Sequence, residues 1–165
     1  MADRVTATLV LGSEQETRRL GRMLGQGLPR GAVVALMGEL GAGKTCLAQG
    51  LALGLGLGEE VVVASPSFTL ANEYPGRVPF FHLDVYRLDG EAFAESGLDE
   101  YFTQGRGVTA VEWGEKIESL LPEERLDIRL TPTPDGGRRA ELAARGEAYE
   151  ALIQNIIDRW GQEKA

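Results

Sequence analysis

Apolar and polar positions along this chain repeat with two periods, close to two and close to 3.6, and the two take turns. Residues 5–10 alternate weakly, as a strand does, and Ser13-Glu14-Gln15-Glu16 has capping-box spacing ahead of Leu20, Met23 and Leu24 on one helical face. Short apolar runs at 32–36, 61–64 and 108–111, rich in valine, predict buried strands. The stretch after residue 44 reads as a helix that ends where glycines recur between 54 and 58. Residues 69–84 and 125–144 predict hairpins, turning at Pro75-Gly76 and at Asp135-Gly136-Gly137. The acidic stretch 90–102 suits short helices, and 116–121 a helix stopped by Pro122. Tyr149, Leu152, Ile153, Ile156, Ile157 and Trp160 form the stripe of a closing amphipathic helix. Strands interleaved with helices predict an α/β domain: a mixed, mainly parallel sheet flanked by helices, with antiparallel hairpin additions. No repeat or linker divides the chain, so one domain over 1–165 is expected.

Between the second predicted strand and its helix lies Met37-Gly38-Glu39-Leu40-Gly41-Ala42-Gly43-Lys44-Thr45. It satisfies the G-x-x-x-x-G-K-S/T pattern in the strand–loop–helix setting that pattern requires. Three glycines let the backbone bend and approach a ligand with no Cβ in the way. The helix behind begins with unpaired N–H groups and the positive end of its dipole, which favour an anion. A nucleoside phosphate is therefore expected on the backbone of Glu39, Leu40, Gly41, Ala42 and Gly43 and at the helix start, Lys44 to Cys46. Lys44 would serve the β- and γ-phosphates, and the Thr45 hydroxyl Mg²⁺. This predicts a P-loop NTPase fold, with the site beyond the carboxyl ends of the parallel strands.

That rule brings together the loops after Met37, Ala64, Asp84 and Glu112. Asp84 and Glu112 each end an apolar run. Either is a metal and hydrolysis carboxylate or a strand-end carboxylate that caps a helix or meets solvent. With a P-loop present, Asp84 is expected to orient metal-bound water, and Glu112 to ligate Mg²⁺ or orient the nucleophile. The loop Ser65-Pro66-Ser67-Phe68-Thr69 suits a γ-phosphate sensor and equally a turn capped by hydroxyls. Trp113 suits base stacking or packing, and Arg87 a phosphate contact or an ion pair with Asp84. Arg138 and Arg139 follow the hairpin glycines, where they reach nucleotide or partner or lie solvated. His82 should face away from Phe81 and Leu83, and no catalytic role is assigned to it.

Composition narrows the partners. At 165 residues the chain buries roughly 70% of its unfolded surface on folding. No apolar stretch reaches membrane-spanning length, and Met1-Ala2-Asp3-Arg4 lacks the apolar core of a signal peptide. Cys46 is the lone cysteine and His82 the lone histidine, which excludes an internal disulfide and His/Cys metal clusters and leaves Mg²⁺ on oxygen ligands. A net charge of −8 argues against a large nucleic-acid footprint.

Four segments stand in fixed order: the P-loop, Ser65-Pro66-Ser67-Phe68-Thr69-Leu70, His82-Leu83-Asp84-Val85-Tyr86-Arg87-Leu88, and Val111-Glu112-Trp113. Together they closely resemble the ATPase subunit of bacterial tRNA threonylcarbamoyladenosine synthesis, the TsaE family. The resemblance runs from Ser13 to the Gly137-Arg138 hairpin. It departs at Ser67, where the family commonly has threonine and the hydroxyl survives. It implies a small cytoplasmic, Mg²⁺-dependent ATPase that supports threonylcarbamoyl transfer to adenosine 37 of tRNA. The transfer itself would belong to a partner transferase, assembled with a dimerising paralogue of that transferase, so that tRNA is met indirectly. Carried over by position, Lys44 holds phosphates, Thr45 binds Mg²⁺, and Asp84 and Glu112 belong to the metal and hydrolysis site. Glu14 and Thr17, on the first helix, become base-side contacts. Outside Lys44 no basic residue is firmly placed on the phosphates, so a weak ATPase completed by its partners is expected.

Two rivals fare worse. A kinase usually needs a basic lid, yet Arg18-Arg19 falls in the first predicted helix and Arg138-Arg139 in a hairpin. A GTPase-type switch needs N-K-x-D, and neither Asn72 nor Asn155 precedes a lysine.

Overall fold

The computed structural model describes residues 4–66 and 68–163. Ser67, expected in the sensor loop, and Met1, Ala2 and Asp3 lie outside them. Seven strands form one sheet in the order β1 (Thr6–Leu11), β7 (Arg138–Arg145), β6 (Arg125–Pro132), β2 (Val33–Met37), β5 (Val108–Glu112), β4 (Phe80–Asp84) and β3 (Ala71–Tyr74). β6, β2, β5 and β4 are parallel neighbours, while β7 and β3 run antiparallel to β6 and β4, and β1 antiparallel to β7. Five of the seven strands therefore point one way.

Valine-rich β2 and β5 sit at the centre, buried on both faces, as parallel strands covered by helices must be. One face carries Val34, Leu36, Phe80, Val108, Ala110 and Ile128 against helices α1 (Glu14–Gly27), α2 (Lys44–Gly54) and α5 (Glu147–Glu163). The other carries Ala35, Met37, Phe81, Leu83 and Val111. Against it lie α3 (Gly90–Ser96), α4 (Glu100–Thr103) and a 3₁₀ helix, Gly114–Leu120.

Local chemistry explains the element ends. The Ser13 hydroxyl accepts the Glu16 N–H at 3.2 Å and caps α1, as the box spacing predicts. The Tyr149 hydroxyl oxygen accepts the Val33 N–H at 3.0 Å and ties the start of α5 to the start of β2. Tyr149, Leu152, Ile153, Ile156 and Trp160 are buried, but Ile157 falls off the stripe and stands exposed.

One expected strand is absent. Residues 61–64 form no strand, and Val62 is 81% exposed. The place beside β4 is taken by β3, and the valine run pairs with no strand despite its strand propensity. Val63 alone of the three valines tucks into the core, its carbonyl accepting Gln49 Nε2 at 3.0 Å.

α1 and α2 meet backbone to backbone. Gly21 and Gly25 on α1 face Gly50 and Gly54 on α2, each pair four residues apart and so on one face. A Cβ on Gly50 would fall onto the Arg18 carbonyl oxygen, and one on Gly21 onto that of Leu47. No rotamer change relieves a clash with backbone, so the two helices would have to separate. Gly50→Ala is expected to cost about 1–3 kcal/mol, lowering Tm by about 2–4 °C for each kcal/mol. Gly161→Ala, whose Cβ would meet nothing within 4 Å, should be neutral or stabilising in the same thermal melt.

Candidate functional site

The carboxyl ends of β2, β5 and β4 lie side by side. Leu36 pairs with Glu112 and Glu112 with Asp84, so both carboxylates end in one row on the face that carries α2. The loop between β2 and α2 closes over that row. Gly43, the N-cap of α2, has φ +105°, and a side chain there would also crowd Arg138. Gly38 has φ +140°, and its Cβ would meet the Leu130 carbonyl.

Beside this loop lies a cleft of about 420 Å³. Gly41, Gly43, Lys44, Thr45 and Cys46 line it from the loop and α2, Ser13, Glu14 and Thr17 from the start of α1. Asp84 and Glu112 form its floor with Ser65, and Arg138 leans in from β7 with Gly136 and Gly137. Leu40 sits at its edge, 90% exposed. Of the residues singled out in the sequence, Glu39 and Ala42 stay outside. Glu39 lines a neighbouring cleft with Trp113, and Ala42 is fully buried beneath the loop. Arg138 Nη2 donates to the Gly41 carbonyl at 3.3 Å, whereas Arg139 pairs with Glu141 at 3.5 Å. Arg87 sets its guanidinium over the Phe68 ring, 4.4 Å from the centroid.

The polar groups of the floor hold one another. Thr45 Oγ1 donates to the Glu112 carboxylate and lies 3.1 Å from both of its oxygens. Asp84 accepts the Ser65 hydroxyl at 2.5 Å and the Tyr86 N–H at 2.9 Å. Lys44 Nζ donates to the carbonyls of Gly38 and Glu39 and stands 3.3 Å from the Trp113 ring centroid. Burial pulls the Lys44 ammonium below the ordinary lysine range, while Glu115, Glu112 and Asp84 pull the other way. Burial also pushes the Cys46 thiol up.

His82 and Glu115 escaped the sequence reading, and Trp113 follows its packing alternative. His82 Nε2 lies 2.6 Å from Glu112 Oε2. Its side chain does face away from Phe81 and Leu83, and that face is the one carrying Asp84 and Glu112, a signal present in the two-residue spacing of His82 and Asp84. Trp113, with φ +64°, turns its ring under Lys44 and beside Tyr86. Such a backbone costs on the order of 1–3 kcal/mol in a residue other than glycine. Glu115 Oε2 accepts the Gly38 N–H at 3.0 Å and steadies the loop entry.

A parallel sheet, a glycine loop running into a helix N-terminus, and carboxylates at adjacent strand ends define the P-loop NTPase class. Within it, the family model described as threonylcarbamoyl adenosine biosynthesis protein TsaE matches residues 11–140. The chain is 47% identical over 132 residues to the tRNA threonylcarbamoyladenosine biosynthesis protein TsaE of Treponema pallidum, covering 79% of this chain and 96% of that one. It is 41% identical over 143 residues to the protein of that name from Bacillus subtilis, with 86% and 88% covered. The crystal structure of Bacillus subtilis YdiB superposes with a TM-score of 0.82 at 35% identity, covering 96% of this chain and 99% of that one. The chain belongs to the TsaE family.

Cys46 offers a test of the site's electrostatics. The thiolate is the reactive form, so a raised pKa means less thiolate at neutral pH than a free cysteine has. Alkylation by iodoacetamide, followed by mass spectrometry, should be slower than that of a cysteine peptide at neutral pH. Its rise with pH should be displaced upward.

Proposed function

We propose that this protein binds ATP with Mg²⁺ in the cleft and hydrolyses it in support of threonylcarbamoyl transfer to adenosine 37 of tRNA. The observation that carries the reading is the Thr45 hydroxyl at the N-terminus of α2, 3.1 Å from a buried carboxylate on the neighbouring strand. The relatives' names support the tRNA pathway.

The donor set fits Mg²⁺. Thr45, Glu112 and Asp84 offer hard oxygens side by side, directly or through water. No cluster of three or more His, Cys, Asp or Glu able to hold a metal occurs among the described residues. That agrees with an ion that arrives on phosphates and takes one or two protein ligands. When bound, Mg²⁺ would neutralise charge on the phosphate oxygens. The chain's own residues do the rest. Loop N–H groups and the α2 dipole hold the phosphates, Lys44 supplies a charge-assisted donor, and Arg138 closes the opposite wall. Glu112 and Asp84 orient water, Asp84 being tied to the 65–69 loop through Ser65. Glu14 and Thr17 lie where the base end would reach.

Among the described residues lining the cleft, the basic groups are Lys44 and Arg138. That scarcity weighs against a kinase, which closes a basic lid over the transferred group. It favours slow turnover alone and completion by a partner transferase and its dimerising paralogue, where a supplied group or ordered loop adds about 10³–10⁵ in rate. The charge of −8 suits docking on a protein that holds tRNA rather than gripping RNA. A cytoplasmic location follows from that role. No helix among the described residues is long and apolar enough to cross a membrane.

Lys44→Ala should remove an interaction of about 1.5–3 kcal/mol and weaken ATP binding about ten- to a hundredfold. Calorimetry on a variant with a native circular dichroism spectrum checks this, and unchanged affinity would remove the P-loop from the function. Asp84→Asn and Glu112→Gln should lower turnover by about 10²-fold or more while ATP affinity falls less, because charge develops most in the transition state. The measurement is phosphate release with transferase and paralogue present. Wild-type turnover in both variants would make the carboxylates structural.

A further inference from the structure

His82 lies behind the floor and does not line the cleft. It is fully buried at the middle of β4, its ring 5.9 Å from that of Phe80 and tilted 20° to it. Along the sheet His82 stands opposite Ala110 and Asp84 opposite Glu112, so the imidazole sits one row below both carboxylates. Nε2 donates to Glu112 Oε2 at 2.6 Å, and Nδ1 is buried with no hydrogen-bond partner. An orphaned ring nitrogen is a cost that leucine or phenylalanine would not carry at a position packed on Phe80. Packing alone therefore does not account for histidine here.

The account lies in Glu112. Its side chain is 4% exposed, and its two oxygens share a single hydroxyl donor on the cleft side, Thr45 Oγ1. A carboxylate torsion is broad and nearly two-fold, so one shared hydroxyl does not hold it. A short bond from His82 to Oε2 anchors that oxygen from below, while Oε1 has Thr45 alone. We propose that His82 is a positioning residue that sets the rotation of the Glu112 carboxylate, and through it the affinity of the Thr45–Glu112 pair for the divalent cation. This rests on the metal reading proposed above. His82 touches neither nucleotide nor cation and acts through Glu112 alone.

The test compares His82→Leu, which fills the volume and donates nothing, with His82→Gln, whose amide Nε2–H reaches the same region. ATP affinity is measured by calorimetry in EDTA and across a Mg²⁺ titration, with Tm recorded alongside. Partners that orient metal ligands are worth about 10–100-fold in metal affinity. His82→Leu should therefore need about 10–100-fold more Mg²⁺ to reach the half-maximal gain in ATP affinity. Its affinity in EDTA should stay within about twofold of the unaltered protein, and His82→Gln should recover most of the Mg²⁺ response. An unchanged Mg²⁺ requirement in His82→Leu overturns the inference and leaves the ATP reading standing. Equal impairment of both variants, in EDTA as well as in Mg²⁺, makes His82 a packing residue and overturns it too. An unaltered protein whose ATP affinity ignores Mg²⁺ brings down the metal reading and the inference with it. Should His82→Leu fail to fold, His82→Asn replaces it, its shorter amide falling short of Glu112.

Discussion

Taking a charged side chain out of water costs several kcal/mol unless its partners are in place, and at the cleft this protein does so with a lysine and two carboxylates. Lys44 and Asp84 are 5% exposed and Glu112 3%. Each has a named partner: loop carbonyls and Trp113 for Lys44, Thr45 and His82 for Glu112, Ser65 and Tyr86 for Asp84. Those partners come from α2, β4, the segments that follow β2, β4 and β5, and Ser65, so the polar floor works only if the parallel strands hold their register. A slip of one residue between β4 and β5 would send Glu112 to the opposite face, among Phe81, Leu83 and Phe93. The hydrophobic pattern of the sheet and the polar pattern of the floor thus enforce the same alignment.

The second constraint is the glycine contact between α1 and α2. It sets the separation of the two helices at backbone distance, and α2 starts at the lysine of the loop. Through that contact Glu14 and Thr17 arrive at one wall of the cleft while Gly41, Gly43 and Lys44 form another. Cys46 Sγ approaches the Glu14 carbonyl at 3.4 Å, the direct bridge between the two walls. Width of the cleft and stability of the fold are therefore set by the same four glycines.

Much of the site is legible in the sequence because the loop's chemistry dictates residue types at close spacing. Glycines where the backbone turns left-handed, lysine and threonine at a helix start, and carboxylates ending apolar runs all carry their meaning locally. The features that escape depend on what lies across the sheet. The valines at 61–63 have the composition of a strand, but it is β3 that takes the place beside β4. Period two places His82 away from Phe81 and Leu83, yet only the packed structure shows that this face carries α2. Gly54 reads locally as the end of a helix, although the spacing of Gly50 and Gly54 repeats that of Gly21 and Gly25. Trp113 reads as packing or stacking because nothing in the local sequence signals its left-handed turn toward Lys44.

These couplings bear on how the proposed ligand would be received. Lys44 is already bonded to two carbonyls of its own loop, and Thr45 to Glu112. On the proposed reading, binding exchanges these contacts for others, and its strength is the difference between the two sets. Lys44 gains when phosphate oxygens replace neutral carbonyls, since the ammonium is then also attracted to the full negative charge of the phosphate. Glu112 is at risk, because a ligand that takes over the Thr45 hydroxyl removes its donor on the cleft side. A buried carboxylate stripped of its donors would oppose that exchange. The bond from His82 persists through it, since His82 lies below the floor where no ligand reaches. The imidazole beneath Glu112 is thus a donor that stays in place while the threonine changes partners.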